Sequence, residues 1–170
     1  MGHREDVRRN RLQEEAFGYL ELEMYEAALR SLDRLDPESQ KHPASLHLKG
    51  ESLRSLGRCA DALSPLLEAA KGSPHDVGIH LAIGWCQKRC DRLDLAIESL
   101  QTALKSEPQN SLVLYNLSCY FSLDGKKTEA LKHLVTALEI APHFNEMIDE
   151  EPDFDSIRSD PEFKKIRAMY

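Results

Sequence analysis

The same residue types return along this chain every 34 positions. Ala28, Ala62, Ala96 and Ala130 stand 34 apart; so do Ala16, Gly50, Gly84 and Ser118, all small, while Pro74, Pro108 and Pro142 close three successive units. A fixed period of this length marks a repeat architecture, in which each unit buries its apolar face against a neighbour. The spacing inside the units is helical. "CADALSPLLEAAKG" places apolar residues at i, i+3, i+4 and i+7, and "SLHLKGESLRSLG" sets Leu46, Leu53 and Leu56 seven and three apart, without strand alternation. Each unit therefore predicts a helix pair, and the chain an all-α fold.

Counting from position 1 of each unit, the period sets repeats at 9–42, 43–76, 77–110 and 111–144. Small residues recur at position 8 of the first helix and at positions 20 and 27 of the second, where they let helix backbones approach closely. Larger apolar residues, at position 24 in every unit and at positions 4, 7 and 11 in two or three of the four, fill the remaining space; Leu32, Leu66, Leu100 and Leu134 all stand at position 24. Turn chemistry agrees with this phase. "GSPHD" and "SEPQN" end helices with Pro, and Asp76 and Asn110 are suited to cap the next helices. The first unit departs most, with Leu35 at a small-residue position, Gln40 in place of the closing proline, and Pro37 predicted to end its second helix a turn early. Residues 145–170 leave the repeat. "HFNEMIDEE" predicts a short helix over the last apolar face, and "SDPEFKKIRAMY" another, with Asp160 as N-cap and Pro161 at the first position.

The small-residue and proline pattern of these units resembles that of the tetratricopeptide repeat (TPR) family. The resemblance runs over 9–144 and is clearest in "SLHLKGESLRSLGRCADALSPLLEAAKGSP", "GIHLAIGWCQKRCDRLDLAIESLQTALKSEP" and "LVLYNLSCYFSLDGKKTEALKHLVTALEIAP". It implies a right-handed superhelical solenoid whose first helices line a concave groove, chiefly through positions 2, 5, 9, 12 and 13. Positions 5, 9 and 12 share one helix face because residues three and four apart are neighbours. On that face the resemblance implies Phe17, His47, Glu51, Leu81, Trp85, Tyr115 and Cys119 as partner-contacting residues, edged by Lys88, Arg89 and Asn116. Large apolar side chains on such a surface are candidate anchors. The alternative is internal: with a terminal segment folded back into the groove, Leu81, Trp85 and Tyr115 would be packing residues.

A TPR subclass grips chaperone C-terminal carboxylates with a set of Lys, Asn and Arg. At those places this chain offers His47, Glu51, Ala82, Leu112 and Asn116, or, one repeat earlier, Gln13, Phe17, Leu48, Gly78 and Ala82. Without the cations a buried carboxylate would be poorly compensated, which disfavours that ligand. The tail "EEPDFDSIRSDPEF" resembles the segment after the last repeat of many bacterial TPR proteins, pointing to a cap and a bacterial source.

Charge narrows the partners. The chain has 22 basic and 29 acidic residues, net −7, and 145–162 alone holds eight acids and one Arg. Nucleic acid as a partner is disfavoured, since phosphate binding needs clustered cations. No run of about 18 apolar residues exists to cross a bilayer, and the first fifteen residues carry no secretion-signal core, so a cytoplasmic location is expected.

The stretch "GWCQKRC", 84–90, holds the only Trp and two of the four Cys. Cys86 and Cys90 lie one helical turn apart, with Cys119 one repeat on, yet structural zinc asks for four ligands, usually as paired C-x2-C or with H-x3-H. Core filling is the expected role of these thiols, with a thiol or metal site as the alternative. No cofactor is expected. The seven His form no i, i+4 zinc motif with Glu, and phosphate-loop, dinucleotide-loop and nucleophile-elbow motifs are absent. The expectation is a non-catalytic scaffold or adaptor that binds a peptide or protein in its groove, with homo-oligomerisation as the runner-up.

Overall fold

The computed structural model describes residues 2–170, which form helices and turns with no strand among them. The elements are α1 (Gly2–Glu21), α2 (Tyr25–Asp33), α3 (Pro37–Gln40), α4 (Pro43–Ser55), α5 (Cys59–Gly72) and α6 (Val77–Arg89). They continue with α7 (Leu93–Ser106), α8 (Ser111–Leu123), α9 (Lys127–Ile140), α10 (Phe144–Met147) and α11 (Pro161–Arg167), and 3₁₀ turns at Ile148–Glu150 and Pro152–Phe154.

Local chemistry explains the helix starts. Asp76 accepts a hydrogen bond from the Ile79 amide at 3.0 Å, and Asn110 from the Val113 amide at 3.1 Å, as the turn residues predict. Asp160 caps α11 through the Glu162 amide, with Pro161 at its first position. Pro37 does more than stop α2. Its neighbour Asp36 accepts from the Ser39 amide at 2.9 Å and starts the extra turn α3 before repeat two. Between the helices of each pair, Glu23, Gly57, Asp91 and Gly125 adopt left-handed backbone with φ of 57°, 75°, 58° and 72°. These four positions are again 34 apart, a column the apolar pattern does not reveal.

The helices divide into two compact units, Met1–Arg92 and Leu93–Tyr170. In the first, α1 packs on α2, and α4 packs on α5 and α6. One core joins Leu12, Ala16, Ala28, Leu32 and Leu35. A second joins Leu53, Ala62, Leu66, Ala69, Ile79, Ala82, Ile83 and Cys86. Gly50 shows why position 8 is small: a Cβ added there would lie 2.4 Å from the Leu66 side chain.

In the second unit α8 packs on α7 and α9. Its core includes Leu100, Val113, Leu117, Leu134 and Leu138, continued by Phe144, Ile148, Phe154, Phe163 and Ile166 from the tail. The acidic end is thus amphipathic, with Ile148, Phe154, Ile157, Phe163 and Ile166 buried and most of its carboxylates in solvent. Arg158, the one Arg of the acidic stretch, donates to the carbonyls of Ile148 at 3.0 Å and Glu151 at 2.8 Å, tying the two 3₁₀ turns together. Arg167 pairs with Asp149 within the tail, and Lys127 of α9 pairs with Asp160 at 2.8 Å, so the tail is closed on itself and tied to α9.

Candidate partner-binding face

In the first unit, α4 carries His47, Glu51 and Arg54 and α6 carries Leu81, Trp85 and Lys88 at the same repeat positions, with Arg89 beside Lys88. Because α4 and α6 pack together, the two rows meet. The Arg54 guanidinium carbon lies 5.2 Å from the centre of the Trp85 ring and that of Arg89 5.0 Å, both within cation–π range. Trp85 itself is half-buried and rests on the core around Ile83 and Cys86, which fixes its position. Glu51 accepts from Arg54 Nε at 3.0 Å and Nη2 at 2.6 Å, and His47 Nε2 stands 3.7 Å from its other oxygen. Burial alone would raise the pKa of Glu51, but hydrogen bonds and charge from His47 and Arg54 outweigh it and hold the carboxyl below its ordinary 4.5.

Toward the first repeat this row opens into a concavity of about 460 Å³ lined by Phe17, Leu20, Tyr25, His47, Glu51 and Arg54, with Glu21 and Glu23 on its rim. Phe17 is 55% exposed, and Leu22 and Met24, a few positions on in the chain, are exposed too. A wider depression of about 720 Å³ at the 107–111 turn is lined by a single turn of chain and gathers no convergent side chains.

The second unit corrects the expectation for two residues. Tyr115 and Cys119, expected on the open groove face, are buried, with exposures of 3% and 2%. Tyr115 stacks on Phe144 with ring centres 4.7 Å apart and meets the edge of Phe154 at 5.9 Å. The physical cause is the tail's own apolar content: Phe144 and Phe154 need cover, and this face of α8 supplies it. Asn116 keeps partial exposure. Burial, with Cys119 and the carboxylates of Glu151 and Asp153 nearby, pushes the Tyr115 hydroxyl far above its ordinary pKa.

The cysteines of "GWCQKRC" part company. Cys86 is fully buried in the core, and burial pushes its thiol up to about 12, leaving it protonated and unreactive. Among the described residues Cys86 and Cys90 join no cluster of three potential metal ligands, whereas Cys119 Sγ gathers with carboxylate oxygens of Glu151 and Asp153 within 4.8 Å. That grouping was not visible in the sequence because its acids come from the tail.

Helix pairs with a small-residue seam, repeated at 34 residues, define the class of this protein as an all-α helical repeat. The model for the tetratricopeptide repeat matches 77–110, one of the four units, and the helix pairs share the fold of the solved TPR structures below. Among solved structures, the MamA protein matches at a TM-score of 0.76 with 16% identity, covering 98% of this chain and 91% of that one. TTC0263, a thermophilic TPR protein of Thermus thermophilus, matches at 0.67 with 24% identity, over 82% of this chain and 77% of that one. YrrB, described as a TPR protein with an unusual peptide-binding site, matches at 0.66 with 21% identity, over 75% and 66%. No curated protein sequence matches the chain. No helix among the described residues is long and apolar enough to cross a membrane.

Proposed function

We propose that this protein is a non-catalytic interaction module that seats a peptide or protein segment on the concave face of its first unit, with Trp85 as the central anchor. His47, Glu51, Leu81, Lys88 and Arg89 flank the anchor in this reading, and Phe17 supplies an apolar stop at the far end of the concavity. The observation that carries it is the placement of the sole Trp. The ring is half-buried on a rigid core with a guanidinium near it from each of two helices, the aromatic and Arg chemistry that dominates binding hot spots. The fold supports it as well, since TPR proteins are generally non-catalytic binding scaffolds and one solved neighbour is described by its peptide-binding site. Tyr115 and Cys119 have no part in the face, being covered, and Asn116 is left outside it.

Peptide-display selection against the immobilised chain tests the proposal, with Trp85→Ala as counter-selection. Expected are peptides whose affinity falls about thirtyfold, roughly 2 kcal/mol, on the variant while circular dichroism shows an intact helical fold. Peptides bound equally by both proteins would remove the face from consideration. Light scattering alongside separates the runner-up: a stable dimer broken by Phe17→Ala or Trp85→Ala would make a second copy the occupant.

A further inference from the structure

The chain holds an example of what one of its first helices accepts. All three inner positions of α8 are met by residues 144–156. Position 5, Tyr115, is covered by Phe144 and Phe154; position 9, Cys119, stands beside Glu151 and Asp153; position 12, Ser122, bonds Ser156 at 3.2 Å. The covering segment is short and turn-rich, alternating apolar anchors (Phe144, Ile148, Phe154, Ile157) with acids. On α8 those acids meet no cation at positions 9, 12 or 13, which are Cys119, Ser122 and Leu123.

The equivalent positions of the first unit differ in one respect that bears on ligand choice. Positions 12 and 13 of repeats two and three supply Arg54, Lys88 and Arg89 against one acid, Glu51, at positions 5, 9, 12 and 13 of the same two repeats; the acids of repeat one, Glu21 and Glu23, stand at the Phe17 end of the concavity. Arg54 uses Nε and Nη2 on Glu51, and Arg89 lies over Trp85 and is exposed. A guanidinium held against an aromatic face keeps its in-plane N–H groups directed outward, the geometry a carboxylate takes in bidentate fashion.

From this we infer that the first unit's concave face binds an acidic partner segment with aromatic or aliphatic anchors, of the same chemistry as residues 144–157. Its apolar anchor packs on Trp85 and Leu81, and its carboxylates meet Arg54, Lys88 and Arg89. This deepens the proposed function and rests on it.

The sole Trp is the reporter. The full chain is titrated with the synthetic peptide FNEMIDEEPDFDSI, its counterpart with every Asp and Glu changed to Asn and Gln, and a counterpart with Lys at those places. Expected is a saturable change in Trp fluorescence with the acidic peptide, at least tenfold weaker with the amide peptide, and absent with the Lys peptide. Arg89→Glu, an exposed position, should weaken the acidic peptide at least tenfold without altering thermal unfolding. Amide and acidic peptides binding alike, or no response to any of the three, overturns the inference. If display selection meanwhile returns neutral or basic peptides that need Trp85, the binding function stands and only its acidic preference falls.

Discussion

Positions 5, 9 and 12 of repeats two and three and the same positions of repeat four stand on equivalent helix faces, yet they meet different fates. On α8 they are Tyr115, under the rings of Phe144 and Phe154, Cys119, beside Glu151 and Asp153, and Ser122, bonded to Ser156, so the tail seals all three. On α4 and α6 they are His47, Glu51 and Arg54, then Leu81, Trp85 and Lys88, a row in which ion pairs and cation–π contacts hold side chains partly in water. One register thus serves two purposes. An apolar, uncharged face is finished by the chain itself, whereas a face that mixes Trp with cations keeps polar groups whose hydration would be lost under a permanent apolar cover.

The contrast is open to attack through stability. Phe154→Ala should produce the largest effect, because that ring is fully buried between Tyr115 and Phe163. Loss of about 3–5 kcal/mol is expected by chemical denaturation. Cys119 should at the same time become accessible to a thiol reagent while Cys86 stays protected. Phe17→Ala, at an exposed ring, should change stability by no more than about 0.5 kcal/mol. Equal losses from the two substitutions would erase the distinction between a sealed and an open face. A step smaller, Arg158→Ala leaves the Ile148 and Glu151 carbonyls without their donor and should cost about 1–2 kcal/mol. The loss should appear as earlier unfolding of the tail, read by hydrogen exchange at 148–157.

Why the fold was legible and the face only half so comes down to particular residues. The 34-residue columns report contacts every repeat must make: Gly50 is small because Leu66 presses on it, and Leu32, Leu66, Leu100 and Leu134 recur because each sits in the same core slot. Asp76 and Asn110 signal helix starts because capping is local. For Tyr115 the alternative of a terminal segment folded onto the face holds, and periodicity could not decide it because its partners, Phe144 and Phe154, lie 29 and 39 positions on, at the last position of repeat four and in the segment beyond it. Periodicity says which way a side chain points from its helix, not what later arrives to cover it. The left-handed column escaped for another reason. Gly57 and Gly125 advertise it, but Glu23 and Asp91 occupy it at a backbone cost that composition does not display.

The open face should tolerate loss of its ion pair better than the sealed face tolerates loss of a ring. Arg54→Ala removes a partner of Glu51 and of Trp85, both partly solvated, and is expected to cost no more than about 1 kcal/mol. A loss above about 3 kcal/mol by chemical denaturation would mean that Arg54 is built into the core like Phe154.

Glu51 gives the smallest effect, and its sign is fixed by the direction of its pKa. Burial pulls this carboxyl upward, but His47 and Arg54 favour its charged form strongly enough to hold it below 4.5 in the folded protein. A group with a lowered folded-state pKa contributes stability above its unfolded value and loses it as pH falls through the folded one. Between pH 7 and about 5, the stability difference between wild type and Glu51→Gln should therefore stay constant, at no more than about 1 kcal/mol. Below 4.5 the two curves should converge, since wild type takes up the proton that the amide mimics. Denaturation midpoints from about pH 7 to about pH 3 measure this directly. In the Arg54→Ala background the convergence should shrink, because one of the two groups that hold Glu51 ionised is gone. Curves that stay parallel down to about pH 3 would mean that the Glu51 carboxylate gains nothing from His47 and Arg54. The open face would then lack the charge order that sets it apart from the face of α8.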